Sequence, residues 1–359
     1  MNLRTAGTAG AALSVTVDTS PAFEFLTTLV VAGADDREHY EVGSAWFARI
    51  DSSVSDALRE EIDAWGNGTL WPRLYGFVLD CPAPRDVGAL VDFLEEIDAT
   101  DIRLRLLGYA TRAVRRRTTP QLILDAANGD SPAQRRLLAS VDPEVPEQVY
   151  AIRTVLGWTA AETKRRVLAL FRRWNEEIFR EWDAEARGPV ARAAERIRGS
   201  VDLVGPDAAI ERATNGIQFI AEPGIRAVVI APSVVIRPYV RYDEQRETAV
   251  LVCPVDDESM GVEAEGPPAR LVRLSKAFAD ERRLRILKRL TVDDYTLQEL
   301  SEQFEIPKST MLHHLVILRS AGVVRLKGTP TSVKYTLRDA AVFDHATMLE
   351  DYLARPARR

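Results

Sequence analysis

The segment 295–337 constrains the fold more than any other part of this 359-residue chain. Thr296 and Glu299 have the spacing of a capping box, which predicts the start of a helix. The run 305–307 predicts a tight turn, because its proline suits the first position of a following helix. Apolar residues then recur at helical spacing, and Gly322 stands where a left-handed helix cap is favoured. The predicted order is helix, turn, helix and a two-stranded hairpin.

The second of these helices, 308–321, has two different faces. Met311, Leu315 and Leu318 are spaced to face a core, and polar residues near its N-terminal end face away. Helices in this arrangement present their first turns to base edges in the DNA major groove, and the basic hairpin suits phosphates. The residues expected to contact DNA are therefore Lys308, Ser309, Thr310, Leu312, His313, Arg325, Lys327 and Lys334.

The sequence allows two interpretations for each of two further residues of this helix. His314 is suited equally to packing near the hairpin and to contacting DNA. Leu312 is an apolar residue on an exposed face, so it either packs against another helix or touches a thymine methyl group.

Residues 270–340 resemble the ArsR-type family of bacterial winged-helix repressors. The matching strings are 276–287 and 307–315, and the helix pattern, turn, cap glycine and hairpin wing follow the family's order. The resemblance implies a winged helix-turn-helix that binds double-stranded DNA and represses transcription. We expect a homodimer on a roughly palindromic operator, because paired recognition helices enter successive major grooves.

Many members of that family sense metals, which requires a suitable set of ligands. The helix 296–304 contains no cysteine, and Cys81 and Cys253 are far apart in the chain. The last helical segment offers one histidine, His345, without a partner at the expected interval, and a solvated position is the simpler interpretation. We therefore expect neither a metal nor a cofactor.

Composition and charge favour a cytoplasmic protein of several domains. The chain is 46% hydrophobic and 28% charged, as globular proteins are, and no apolar run reaches the roughly 20 residues of a membrane helix. Two isolated cysteines suit a reducing compartment. The segment 268–359 has 17 Lys and Arg against 11 Asp and Glu, a net charge of +6, while the rest carries −12. A basic module on an acidic body is typical of a DNA-binding domain joined to a different domain.

The N-terminal part predicts a mainly helical body. A short strand is expected at 13–18, and the longest helix begins at Thr159 with an aromatic face that ends at the Gly188-Pro189 break. A separate helix, 189–198, is expected after that break. Segments rich in Val and Ile then predict an antiparallel meander. Its strands are expected at 216–221, 226–230, 234–240 and 248–255, with turns at 231–233 and 243–246.

The predicted fold class is α+β, with a mainly helical N-terminal domain that carries a small antiparallel sheet, followed by a C-terminal winged helix. The expected domains are 1–200 (helical, with a short first strand), 201–256 (meander), 257–268 (linker) and 269–359 (winged helix). The strings 41–47 and 231–233 resemble a group of bacterial regulators with an uncharacterised N-terminal domain. This second resemblance implies a sensory or oligomerising role for that domain.

The sequence favours DNA binding over an enzymatic function. The chain has no phosphate-binding loop, nucleophile elbow or HExxH motif, and His39 is the single histidine of the N-terminal part, so we expect no enzyme. The main alternative is a protein-interaction adaptor that uses the winged helix and the aromatic helix 159–187. A further interpretation adds an apolar small-molecule effector held among Phe171, Trp174 and Trp182.

Overall fold

The computed structural model describes residues 13–34, 37–65, 70–141, 146–261, 267–329, 332–338 and 340–354. Within these ranges, the strands of the N-terminal body are β1 (Ser14–Val17), β2 (Ile217–Phe219), β3 (Ala227–Ser233), β4 (Arg241–Gln245) and β5 (Thr248–Pro254). Its helices are α1 (Pro21–Ala32), α2 (Ser44–Ser53), α3 (Asp56–Trp65), α4 (Tyr75–Asp80), α5 (Val87–Glu96), α6 (Ala99–Leu106), α7 (Arg112–Arg115), α8 (Pro120–Ala127), α9 (Ser131–Ala139), α10 (Pro146–Gly157), α11 (Ala160–Trp174), α12 (Arg180–Val204), α13 (Pro206–Ala213) and α14 (Asp257–Met260).

Four strands of the body form a mixed sheet in the order β1-β3-β5-β4. The β1–β3 and β3–β5 pairs are parallel, and only β4 runs antiparallel to its neighbour β5. The predicted antiparallel sheet is therefore only partly right, because β4 and β5 form its single antiparallel pair. β3 and β5 are apolar almost throughout and buried on both faces, which is typical of parallel strands.

Two short segments of this region also differ from the prediction. The stretch 234–240 forms turns instead of a strand, and 241–245 is strand β4, where a turn was expected at 243–246. Tertiary partners hold the turn. The Val235 N–H donates to the buried Glu24 carboxylate at 3.1 Å, and the Arg237 guanidinium binds Glu41 at 2.8 Å.

The expected helix break at Gly188-Pro189 is absent. The helix α12 runs through Pro189, and a π-helical turn, Asn175–Phe179, joins it to α11. Proline usually breaks a helix. Here Ala186, Val190 and Ala193 continue one buried stripe, so packing against the body keeps the helix intact.

The aromatic face of α11 fills the body's core. Phe171 and Trp174 are completely buried, and the Phe171 and Phe25 rings lie 5.1 Å apart at a steep angle. The Trp174 indole N–H donates to the Thr28 hydroxyl at 2.9 Å. These rings hold α1 and α11 together.

The winged helix is confirmed at the C-terminal end. It consists of α15 (Ala269–Phe278), α16 (Glu281–Leu290), α17 (Leu297–Phe304), α18 (Lys308–Ser320), β6 (Val324–Thr329), β7 (Ser332–Leu337) and α19 (Ala340–Ala354). β6 and β7 form the antiparallel wing, and Tyr295 bridges to Tyr335 on the far side of β7. In the expected linker, α14 occupies the start, and 262–266 lie outside the described residues.

Candidate DNA interface

The turn between α17 and α18 follows directly from local sequence. Thr296 and Glu299 complete the capping box of α17: each accepts a hydrogen bond from the other's backbone N–H, at 3.2 and 2.7 Å. Glu305 ends the helix in the left-handed conformation, with φ at +52°. The Ser301 hydroxyl then donates to the Ile306 carbonyl at 2.6 Å, which fixes the direction in which α18 begins.

The helix α18 presents the predicted face at its N-terminal end. Ser309 and Leu312 are exposed, and Lys308, Thr310 and His313 are half-buried beside them. Leu312 is 42% exposed, which leaves much of its side chain open to a partner. The apolar residues of the opposite face are completely buried in the winged-helix core: Met311, Leu315 and Leu318.

His314 lies on the core side of α18. Its ring is buried, its Nδ1 lies 4.0 Å from Asp280, and neither ring nitrogen makes a hydrogen bond to any described residue. Burial lowers the pKa of His314, because the charged imidazolium is disfavoured away from water. Its burial beside Asp280 favours the structural interpretation of His314 over contact with DNA.

The wing presents two of its three predicted cations to solvent. Lys327 and Lys334 are exposed and face each other as cross-strand partners. Like charges directly opposite each other are unfavourable, so a phosphate placed between them would relieve repulsion. Arg325 is half-buried instead, with its guanidinium 3.1 Å from the carboxylate of Glu211 on α13.

The outer edge of the wing is covered by the N-terminal body. β2 pairs in parallel with β6, with Gln218 opposite Lys327, so the wing sheet has the order β2-β6-β7. The Leu326 N–H donates to the Gly216 carbonyl at 3.1 Å. Sequence reasoning placed this strand in the meander, because nothing in its three residues indicates a partner more than 100 positions away.

The recognition helix also touches the body. The rings of His313 and His39 lie 4.3 Å apart, inclined at 65°. His39 ends the 3₁₀ turn Arg37–His39, which precedes α2. The His39 side chain is 27% exposed.

A cluster of four charges joins the two parts. Arg273 of α15 binds Glu41 at 2.7 Å and Asp257 at 2.9 Å, and Arg237 binds the same two carboxylates. Burial alone would raise the pKa of Asp257, but the charges of Arg273 and Arg237 bring it below its ordinary value. Asp257 is therefore held as an anion between the body and the winged helix. Glu41 begins the string 41–47.

No group of three or more metal-ligating residues occurs in the described ranges. Both cysteines are buried, and burial raises the pKa of Cys253 to about 12, which opposes the thiolate that a soft metal needs. His345 is not simply solvated as expected. Its Nε2 lies 3.1 Å from the Ser275 hydroxyl and its ring 5.2 Å from that of Phe278, because α19 packs along α15.

Comparison with known proteins agrees with this geometry. Residues 280–325 match the family described as bacterial regulatory protein, arsR family. The chain is also 39% identical, over 80 residues, to the transcriptional activator HlyU of Vibrio cholerae serotype O1. The aligned segment covers 22% of this chain and 74% of that protein. This chain belongs to the arsR family. As an arsR-family protein it is a DNA-binding transcriptional regulator. No described helix has the length and apolar character that crossing a membrane requires.

Proposed function

We propose that this arsR-family regulator binds a specific, roughly palindromic operator as a cytoplasmic homodimer, and that its N-terminal body controls this binding. The observation that carries the proposal is the exposed pair Ser309 and Leu312 on the first turns of α18, with two exposed wing lysines in the same small domain. Base edges would meet the helix, and phosphates would meet the wing.

The proposed contacts divide into two kinds. Ser309, Thr310, Leu312 and His313 lie on the turns that enter the groove, with Lys308 at the helix N-terminus, where phosphate is favoured. Lys327 and Lys334 would hold phosphates on either side of the wing. Arg325 would join them only after it leaves Glu211.

The control by the body rests on four contacts. His39 covers one side of His313, β2 occupies the edge of the wing, Glu211 neutralises Arg325, and the Glu41 cluster holds α15. Two of these contacts engage side chains proposed to bind DNA. The docked arrangement therefore opposes DNA binding, and a signal that loosens it would favour the operator.

The sign of regulation is part of the proposal. Repression is what the family resemblance implies, whereas the relative in Vibrio cholerae is named an activator. A promoter–reporter fusion compared with and without this gene distinguishes the two, since loss of a repressor raises expression and loss of an activator lowers it.

Fluorescence anisotropy of the full chain with its own upstream intergenic DNA, at two salt concentrations and against scrambled competitor, tests the proposal. We expect tight binding that weakens steeply with salt, because bound counterions are released. Lys308→Ala combined with His313→Ala should weaken binding by at least about fivefold, since a base contact such as that of His313 contributes about 1–3 kcal/mol and the phosphate contact of Lys308 is lost as well. Lys327→Ala combined with Lys334→Ala should lower the salt slope by about 2.

Lys288→Ala, at an exposed position of α16, is the matched control and should leave the affinity unchanged. Unchanged binding by a folded Lys308/His313 double variant would remove α18 from the interface. Binding no better than to scrambled DNA would favour the adaptor alternative, in which the winged helix binds a protein.

A further inference from the structure

A pocket of about 500 Å³ opens on the N-terminal body beside α6 and α7. Five arginines line it, with a single carboxylate in the lining: Arg105, Arg112, Arg115, Arg116 and Arg246, with Asp101. Its volume lies within the range of small-molecule sites. A pocket with this surplus of guanidinium groups on its walls is suited to an anion.

Carboxylates outside the pocket lining hold some of these arginines in place, but they do not neutralise all five. Asp80 is shared by Arg105, at 2.5 Å, and Arg246, at 3.3 Å. Arg115 has no carboxylate partner among the described residues, and its guanidinium donates to the backbone carbonyl of Tyr109 at 3.2 Å. Guanidinium N–H groups therefore remain available to a ligand, and little side-chain freedom is lost when it binds.

The far side of the pocket is held by acidic side chains of the sheet region. Arg116 binds both Glu222 and Glu244, and Arg112 lies 3.8 Å from Glu244. Two arginines thus share the Glu244 carboxylate. A ligand with several anionic oxygens competes directly for the same guanidinium groups, because their planar forks match phosphate oxygens.

The pocket also offers a flat apolar surface. Tyr109 is 36% exposed, and the Arg115 guanidinium lies 5.5 Å from the centre of its ring. Leu104 adds an apolar side chain to the wall. An aromatic ring and a cation side by side can hold a planar group next to its own phosphate.

We propose that this pocket binds a small phosphate-bearing molecule with a planar ring, of nucleotide size, as the effector of the regulator. This inference rests on the sensory role proposed for the body and gives it a site and a ligand class. It places the effector away from the aromatic residues of α11, which are filled core.

The same arginines connect the pocket to the wing. The Arg112 guanidinium donates to the Pro223 carbonyl at 2.7 Å and lies close against Gly224, which has φ at +90°. Arg116 binds Glu222 of the same loop. This loop follows β2 directly, and β2 is the strand paired with β6 of the wing. A ligand that draws Arg116 away from Glu222 releases the loop at the end of the strand that covers the wing.

Isothermal titration calorimetry of the full chain tests the site without DNA. The probes are adenosine 5′-monophosphate, inorganic pyrophosphate and adenosine. We expect the monophosphate to bind, pyrophosphate to bind more weakly, and adenosine not to bind. Arg115→Gln and Arg246→Gln should each weaken binding of the monophosphate at least about tenfold, as expected for a charge-assisted contact of 1.5–3 kcal/mol.

Arg135→Gln is the matched control, because Arg135 is exposed on α9 and outside the pocket lining. Arg115→Gln breaks no ion pair among the described residues, so its thermal unfolding should match that of the wild type. If neither phosphate probe binds at concentrations up to about 10 mM, the proposal is overturned. Equal binding by the two pocket variants and the wild type would overturn it as well.

Anisotropy with operator DNA, with and without the monophosphate at saturation, tests the link to the wing. We expect a change in DNA affinity of about fivefold or more, within the usual range of coupling free energies. If the monophosphate binds but the DNA affinity is unchanged, the pocket is a binding site and the ligand is not an effector of DNA binding. If the protein binds no DNA under any of these conditions, the proposed function is wrong. Calorimetry then still shows whether the pocket binds the phosphate probes.

Discussion

The winged helix and the N-terminal body differ in how far apart in the sequence their internal contact partners lie. The buried core of the winged helix lies between Leu274 and Tyr335, within one continuous stretch of chain. In the body, β1 pairs with β3, and Glu24 binds the backbone of Val235, 211 residues away. Local patterns can therefore predict the winged helix, whereas the body depends on pairings between distant segments.

In the part of the chain that the structure describes, the winged helix and the N-terminal body share no apolar core. The body's cores extend from Leu13 to Met260, and the winged-helix core contains no residue of the body. Among the described residues, ion pairs, the ring contact of His39 with His313 and the β2–β6 pairing join the two parts.

The largest expected effect is on unfolding. Leu300→Ala should destabilise the winged helix by about 2–5 kcal/mol, and Trp174→Ala should destabilise the body by about 3–5 kcal/mol, because each leaves a cavity in a separate core. Differential scanning calorimetry should show each variant shifting a different transition. A single transition that both substitutions shift equally would contradict the separation of the cores.

Glu24 gives the next largest effect and tests the long-range bonding of the body. One of its carboxylate oxygens accepts from the Trp182 indole and from the Val235 N–H. Glu24→Ala leaves both donors buried and unpaired, which should cost about 2–4 kcal/mol. Glu24→Gln keeps an acceptor oxygen and should cost much less, as denaturant titrations of the body can measure.

The same residue predicts a pH dependence. Burial raises the pKa of Glu24 above its ordinary value of 4.5, so the folded body binds this proton more tightly than the unfolded chain. Its contribution to stability is fully present below pH 4.5 and is lost as the pH rises through the raised pKa. Relative to the wild type, Glu24→Gln should therefore gain stability as pH rises over that window. A constant difference between the two would contradict the raised pKa.

Removing the contact between the histidines should change DNA binding more modestly. His39→Ala uncovers His313 and should raise operator affinity by about two- to fivefold, since an aromatic pair contributes about 0.5–1.5 kcal/mol. Anisotropy measures the change, and Glu60→Ala at an exposed position of α3 is the control. A fall in affinity would mean that His39 assists the recognition helix.

The smallest effect is expected at Glu211. Glu211→Ala releases Arg325 and should raise operator affinity by about twofold, because a half-exposed ion pair contributes about 0–1 kcal/mol. The salt slope should grow by about 1 if Arg325 then binds a phosphate. Arg325→Ala in the same background should reverse both changes. An unchanged slope would exclude Arg325 from the interface.

Where sequence reasoning succeeded, the deciding contacts were local. The capping box of Thr296 and Glu299, the turn before Pro307 and the wing hairpin form as expected. Where it was wrong, a distant partner overrode a local preference. Pro189 remains within a helix because apolar residues on both sides of it are buried against the body. The segment 234–240 forms turns because Glu24 and Glu41 bind its backbone and its arginine.

The sequence by itself determined the winged helix, its family and the face of α18 that bears Ser309 and Leu312, because caps, turns and helical periodicity act within a few residues. Only the tertiary structure decided the mixed sheet, the arginine pocket and the contact of His39 with His313. Each of these brings together segments that are far apart in the chain, and their free energy comes from burial and charge pairing that no local pattern records.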